Sequence, residues 1–163
     1  MVKLVNFTAD DYRRAYTAYD SGLYEVFFRH FQPFLNLEEF ANCFANFGRA
    51  QAILADGEYA GFILTRIFHR PKIADVSILI EKPYQKQGVA VKAVVEAGMH
   101  LVQTGVNKVT CHTAKGDIRT DKLLREAGFE AEACLKDNCF YSGGLDHEVR
   151  WSITAEEAQR RYS

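Results

Sequence analysis

The eight residues Ile73-Ala-Asp-Val-Ser-Ile-Leu-Ile80 come close to a continuous apolar run. A strand of that character has to be covered on both faces, so it belongs in the middle of a sheet with helices on either side. Pro83 and Gln85-Lys86-Gln87-Gly88 follow at once, and a helical pattern then runs from about Val89 to Gln103. In that segment Val91, Val94, Val95 and Val102 make the apolar side, while Lys92, Glu96 and His100 recur every four residues as the wet stripe. A central strand, a short loop and a glycine-opened helix therefore form the unit around which the chain must be built.

Elements on both sides extend this unit. Lys3 to Phe7 reads as a strand, and Thr8 caps a helix with Asp10 and Asp11 in its first turn and Tyr12, Ala15, Tyr16 and Tyr19 at helical spacing. A second helical stretch runs through Tyr24, Phe27, Phe28 and Phe31 until Pro33 interrupts it. Asn36 and Glu39 start another, which carries Phe40, Phe44 and Phe47 and stops at Gly48. Ala50 to Ala55 and Tyr59 to His69 form a hairpin about Asp56-Gly57. Beyond residue 103 a strand is expected from Lys108 to Thr113, then a short helix capped by Asp117 and ending before Gly128. On that helix Asp121 with Arg125 and Lys122 with Glu126 have ion-pair spacing. Ala131 to Lys136 and His147 to Ile153 read as two last strands joined by a polar loop, and Thr154 with Glu157 opens a final helix.

The order β-α-α-β-β-β-α-β-α-β-β-α implies an α/β (mixed α+β) fold: one mixed central sheet of about seven strands flanked by helices. No repeat, linker or low-complexity segment divides the chain, so residues 1–163 read as a single domain. Twenty Lys and Arg against 21 Asp and Glu leave a net charge of -1, which offers no basic field for nucleic acid. The apolar stretches fall short of the ~20 residues that span a bilayer, so no membrane partner is expected. The first eight residues lack a signal-peptide pattern. Cys43, Cys111, Cys134 and Cys139 contain no Cys-x-x-Cys pair, which favours reduced thiols and a cytoplasmic location. Cys111-His112 with Cys134 and Cys139 lacks zinc-ligand spacing, so no metal is expected.

The chemistry concentrates at residues 85–90. Amides at a helix start point outward without intrahelical partners, and the helix dipole is positive there. Gly88 and the small Ala90 allow close approach, which suits a phosphate or diphosphate. The segment lacks both the Lys-Ser/Thr ending of a nucleotide-hydrolysing loop and the three-glycine spacing of a dinucleotide fingerprint. On these residues alone, an anion cradle and a tight loop before a core helix are both open readings.

Gln85-Lys86-Gln87-Gly88-Val89-Ala90, preceded by Ile78-Leu79-Ile80 and Pro83-Tyr84, resembles the Gln/Arg-x-x-Gly-x-Gly/Ala signature of the GCN5-related N-acetyltransferases, the GNAT superfamily. Residues 117–129, ending in Gly128-Phe129, resemble the second motif of that family. The element order is similar as well. The resemblance implies a sheet splayed between its fourth and fifth strands, with acetyl-CoA bound in the split. It places the diphosphate on Gln85, Lys86, Gln87, Gly88, Val89 and Ala90, and the pantetheine arm along Ile78, Leu79 and Ile80, the backbone groups of Ile78 and Ile80 pairing with it. Asp117, Thr120 and Lys122 would face the same region. Asp117 stands where the family often has Asn, and it reads equally as a helix cap.

The implied reaction is transfer of an acetyl group from acetyl-CoA to a primary amine of a small molecule or protein. An alkylammonium of pKa ~10 must lose a proton before it attacks. Asp75 aligns with a family position that often holds a general-base Glu, and alternation puts Asp75, Ser77 and Leu79 on one face. Its other reading is a carboxylate paired with Lys72 or Arg70. His112 is the second candidate base, and its other reading is a packed rim residue. Where many relatives carry a Tyr that protonates the departing thiolate, this chain has Leu124; Tyr141 is a candidate substitute. Leu124 and Asp117 also leave open a catalytically inactive relative that binds CoA or serves a structural role. Tyr16, Tyr19, Phe27 and Phe31 are either acceptor-pocket walls or core, and Asp20 or Glu25 could attract an ammonium. The expected partners are acetyl-CoA and an amine acceptor, and a homodimer is an open association.

Overall fold

Seven strands pair into one sheet in the order β1-β2-β3-β4-β5-β7-β6. They are β1 (Val2–Asn6), β2 (Arg49–Ala55), β3 (Glu58–His69), β4 (Lys72–Ile80), β5 (Lys108–Ala114), β6 (Glu130–Tyr141) and β7 (Gly144–Thr154). The computed structural model describes residues 1–22 and 34–163. The helical stretch expected from Tyr24 to Phe31, with Glu25 and Pro33, lies outside the described residues. Among those described, the helices are α1 (Ala9–Asp20), α2 (Leu37–Phe47), α3 (Val89–Gln103), α4 (Ile118–Glu126) and α5 (Ala155–Tyr162).

Local signals account for the element ends. Thr8 and Asp11 close a capping box on α1, Thr154 and Glu157 close another on α5, and the Asn36 side chain accepts from the Glu39 amide at the start of α2. Asp56 and Gly57, at φ of 50° and 91°, make the left-handed two-residue turn that matches strand twist between β2 and β3.

Helices cover both faces. Val94, Ala97, Leu124 and Ala158 from α3, α4 and α5 join Ile53, Ile63, Val76, Val109 and Trp151 of the sheet in one core. Ala15, Ala18, Phe40 and Phe44 from α1 and α2 join Phe62, Leu64 and Leu79 in the other. Complete burial of Phe40, Phe44 and Phe62 contributes on the order of 1.5–3 kcal/mol each. Tyr16 and Tyr19 pack at a tilt on Phe40 with centroids 5.5 and 5.6 Å away, partly buried against this core; Phe27 and Phe31 are outside the described residues.

The parallel pair β4–β5 is the exception in an otherwise antiparallel sheet. It joins only Ile73 to Lys108, Ala74 to Val109 and Asp75 to Thr110. Past that point the two strands separate, although β4 runs on to Ile80 and β5 to Ala114. The sheet is split there.

Two expectations need correction. The polar segment from Asp137 to Asp146 is strand rather than loop: β6 and β7 pair out to Tyr141 and Gly144 about a turn at Ser142 and Gly143, with a register shift between Leu135 and Cys139. Residues on an exposed edge strand need no apolar alternation, so polarity there was a poor sign of a loop. The spaced charges of α4 do not pair as expected either. Arg125 lies over the Trp151 ring, 4.8 Å from its centroid, and the Thr113 hydroxyl donates to Asp121 over 3.5 Å. Both contacts reach buried partners on the sheet, Trp151 and Thr113, and the ion pairs forgone would be solvent-exposed and worth little.

Candidate active site

The free edge of β4 follows from one hydrogen bond. The Glu81 amide donates to Ala60 of β3 over 2.9 Å. Main-chain groups of a strand alternate sides, so Leu79 and Ser77 also turn toward β3, and Ile80, Ile78 and Val76 turn toward the gap. The Ile80 oxygen is occupied, because the side-chain amide of Gln85 donates to it over 2.9 Å. Ile78 keeps both of its groups toward the split. Leu79 instead sends its side chain into the core under α1 and α2.

After the turn at Lys82–Tyr84, the loop brings α3 to the mouth of the split. Gly88 is the N-cap of α3 with φ of 73°, and no side chain caps the helix. Lys92 donates to the Gly88 oxygen as the first helical bond. Among the described residues, none of the amides from Lys86 to Val91 donates a well-formed hydrogen bond to a protein acceptor. A Cβ built on Gly88 would meet nothing within 4 Å, so the space over this amide row is open.

That space is a cleft of about 600 Å³, lined by Ile78, Ile80, Tyr84, Gln85, Lys86 and residues 88–91 on one side and by Arg119, Thr120, Lys122, Leu123 and the carboxylate-bearing Glu126 of α4 on the other. Its floor is apolar, and three cations (Lys86, Arg119, Lys122) stand around the amides. Sequence reasoning missed Arg119, whose guanidinium lies 3.5 Å from the Gln85 side-chain oxygen. Gln87 points away and donates to the Pro83 oxygen over 2.7 Å. Asp117 caps α4: it accepts from the Thr120 amide at 3.2 Å and from the Thr120 hydroxyl at 2.7 Å, and it is buried. The structure thus brings Thr120 and Lys122 to the cleft and leaves Asp117 beneath them. Leu124 is fully buried in the core, so its position on α4 cannot present any side chain to the cleft. Tyr141 packs its ring at the Gly116 turn.

On the opposite face of the split, at its apex, lies a charged cluster. His112 Nε2 is 3.2 Å from Asp75 Oδ1, and His112 Nδ1 is 2.7 Å from Glu148 Oε1. The Thr110 hydroxyl donates to Asp75 Oδ1 over 3.0 Å, and Arg66 Nη2 donates to Asp75 Oδ2 over 3.3 Å. Lys72 and Arg70 are not the partners of Asp75: the Lys72 ammonium donates to the Thr104 oxygen instead. The Asn138 side-chain amide holds the second oxygen of Glu148 at 3.2 Å.

Burial pushes the Asp75 carboxyl up, but the hydrogen bond and charge of His112, with Thr110 and Arg66, outweigh it and hold the group below the usual carboxylate range. The hydrogen bond with Asp75 raises the proton affinity of His112. Burial opposes that rise and Glu148 adds to it, with a net upward shift. Neither group is an isolated base; the proton belongs to the cluster.

The family model for "Acetyltransferase (GNAT) family" matches residues 5–129. The chain belongs to this acetyltransferase family. The fold agrees with solved structures of spermidine N-acetyltransferase from Vibrio cholerae. One, in complex with CoA and spermine, has a TM-score of 0.82 at 18% identity, covering 97% of this chain and 98% of that one. Another, a dodecameric structure in an intermediate state, has a TM-score of 0.83 at 19% identity, covering 99% and 98%. None of the curated proteins matches the chain by sequence.

The donor of this acetyltransferase is acetyl-CoA, and the cleft fits it on three counts. An uncapped row of amides at a helix start suits a diphosphate. The φ of Gly88 and the open space above it leave room for phosphate oxygens where a Cβ would stand. The gap-facing groups of Ile78 can pair with an amide-bearing arm as an added strand would. Among the described residues no group of three or more His, Cys, Asp or Glu could hold a metal ion.

Proposed function

We propose that this acetyltransferase acetylates the primary amine of a small aliphatic molecule. The observation that carries the reading is the row of amides from Lys86 to Val91, none with a well-formed protein acceptor, opening on a cleft at a split in the sheet. In this reading the diphosphate lies on the loop from Gln85 to Ala90 with Lys86, Arg119 and Lys122 around it, and the pantetheine arm runs along Ile78, Leu79 and Ile80. Thr120 completes the wall, while Gln87 and Asp117 hold the loop and helix in shape. Bound acetyl-CoA supplies a thioester whose carbonyl carbon is open to attack.

The acceptor approaches from the Asp75 side of the split. Two buried carboxylates, Asp75 and Glu148, favour a cation there, and the ammonium must lose its proton to react. Asp75 and His112 are the proton-accepting residues in this reading. A spermine-bound relative of the same fold supports a polyamine as acceptor. In this reading residues 1–163 act as one domain, built on a single seven-stranded sheet, and they act in the cytoplasm, where four thiols stay reduced. Self-association, a homodimer at least, is supported by the dodecameric relative and is read by sedimentation velocity.

Calorimetric titration with acetyl-CoA and with CoA tests the donor site, and thiol release over spermidine, spermine, lysine and a lysine peptide tests the acceptor. Binding of both nucleotides with turnover on the polyamines is expected. Absence of binding, or turnover on the peptide alone, would overturn the reading.

A further inference from the structure

We propose that Glu148 is a positioning residue: it holds His112 with Nδ1–H toward itself and Nε2 toward Asp75, so that the His112–Asp75 pair takes the proton the acceptor ammonium gives up. The inference rests on the acetyl transfer proposed above and assigns a role to a residue outside the family signature.

Geometry carries it. Glu148 belongs to β7 and His112 to β5, and the 2.7 Å contact to Nδ1 is the shorter of the two that His112 makes with carboxylates. The Glu148 side chain is 8% exposed, so it is committed to the protein and not to solvent. Asn138 donates to the other Glu148 oxygen and fixes the carboxylate plane. Both ring nitrogens face a carboxylate, so each carboxylate favours the proton on its own side; the shorter contact, 2.7 Å to Glu148 against 3.2 Å to Asp75, places the single proton of the neutral ring on Nδ1. Nε2 is then the basic nitrogen, and it lies beside Asp75 where β4 and β5 part.

The charges facing the pair among the described residues are Arg66 of β3 on Asp75, Glu148 of β7 on His112, and Arg150, the cross-strand neighbour of His112. The upward shift of His112 accords with this setting. In the reaction the nitrogen lone pair forms the C–N bond as the thioester C–S bond breaks. Of the two protons nitrogen loses, the first goes to the His112–Asp75 pair before attack, and the second ends on the departing sulfur.

The test pairs a readout of the free protein with one of turnover. Imidazole NMR of the full chain across pH should show His112 protonated at Nδ1 when neutral. In Glu148→Gln its titration midpoint should fall by about one pH unit, a tenfold change in proton affinity. The acid limb of kcat/KM for spermidine at saturating acetyl-CoA should move by the same amount, and Glu148→Asp should restore much of the shift. An Nδ1 that is bare in neutral His112, or an acid limb that stays in place while the NMR midpoint falls, would overturn the role of Glu148 with the acetyltransferase reading intact. No thiol release with any amine from the unaltered protein would overturn both.

Discussion

The side-chain amide of Gln85 donates to the main-chain oxygen of Ile80 over 2.9 Å, tying the first residue of the signature loop to the last residue of the split strand. The bond fixes where the amide row stands relative to the gap-facing edge of β4. It also takes up the Ile80 oxygen, so that carbonyl is not free to accept from a bound arm.

Gln85→Ala should therefore loosen the loop without disturbing chemistry. One neutral hydrogen bond of about 0.5–1.5 kcal/mol corresponds to roughly a two- to twelvefold loss in acetyl-CoA affinity. Calorimetry reads that loss, and kcat at saturating acetyl-CoA should hold. An unchanged Kd would show that the loop keeps its shape without the bond.

Gly88 separates protein strain from ligand collision. Its φ of 73° lies in the left-handed region, and its Cβ position is open, so Gly88→Ala costs about 1–2 kcal/mol of backbone strain and little else within the protein. Gly88→Glu adds bulk and negative charge over the amide row. It should melt close to Gly88→Ala yet bind no acetyl-CoA detectable by calorimetry. A folded Gly88→Glu chain of normal affinity would remove the diphosphate from this loop.

Leu124 tests whether the missing Tyr can be put back. The side chain is completely buried with Phe129 and Trp151 in the core over β5 and β7. Leu124→Ala should lose about 2–5 kcal/mol in urea unfolding. Leu124→Tyr should be destabilised by about 1–3 kcal/mol through overpacking and should not raise kcat, because the ring enters the core. A faster Leu124→Tyr enzyme would mean that α4 can turn this position to the cleft.

The Asp75–His112 contact predicts stability with two pH limbs. The folded carboxyl of Asp75 lies below its ordinary 3.8, so its contribution is present above that value and is lost as pH falls through the depressed one. His112 lies above its ordinary 6.5, so its contribution is complete below 6.5 and is lost as pH rises through the raised one. Thermal melts across pH should be highest between the two limbs. His112→Asn should flatten the alkaline limb and shallow the acid one, since His112 is a main cause of the Asp75 depression. A melting profile of unchanged shape would place the pH dependence elsewhere.

Much of this protein follows from short-range pattern. The apolar run of β4, the Asp56-Gly57 turn, the capping boxes at Thr8 and Thr154 and the glycine-opened α3 are each decided by neighbours within four residues, where propensity and hydrogen bonding act directly. The same holds for the start of α3: the amides from Gly88 to Val91 have no intrahelical acceptor because helix geometry leaves them none.

Other features depend on which strands meet and in what register. Asp75, His112 and Glu148 lie 37 and 36 residues apart by their numbering, and only the parallel start of β4–β5 and the Ala114–Glu148 register of β5–β7 bring them together. The alternation of Glu148 and Arg150 with buried Val149 and Trp151 marks a strand with one polar face, which could have drawn notice to Glu148 but not to its partner. The same limit made Arg66, rather than Arg70 or Lys72, the cation on Asp75. Chain-local chemistry determined the elements and the uncapped start of α3, whereas the Asp75–His112–Glu148 cluster was decided by long-range pairing, because charges find partners across strands according to register and burial.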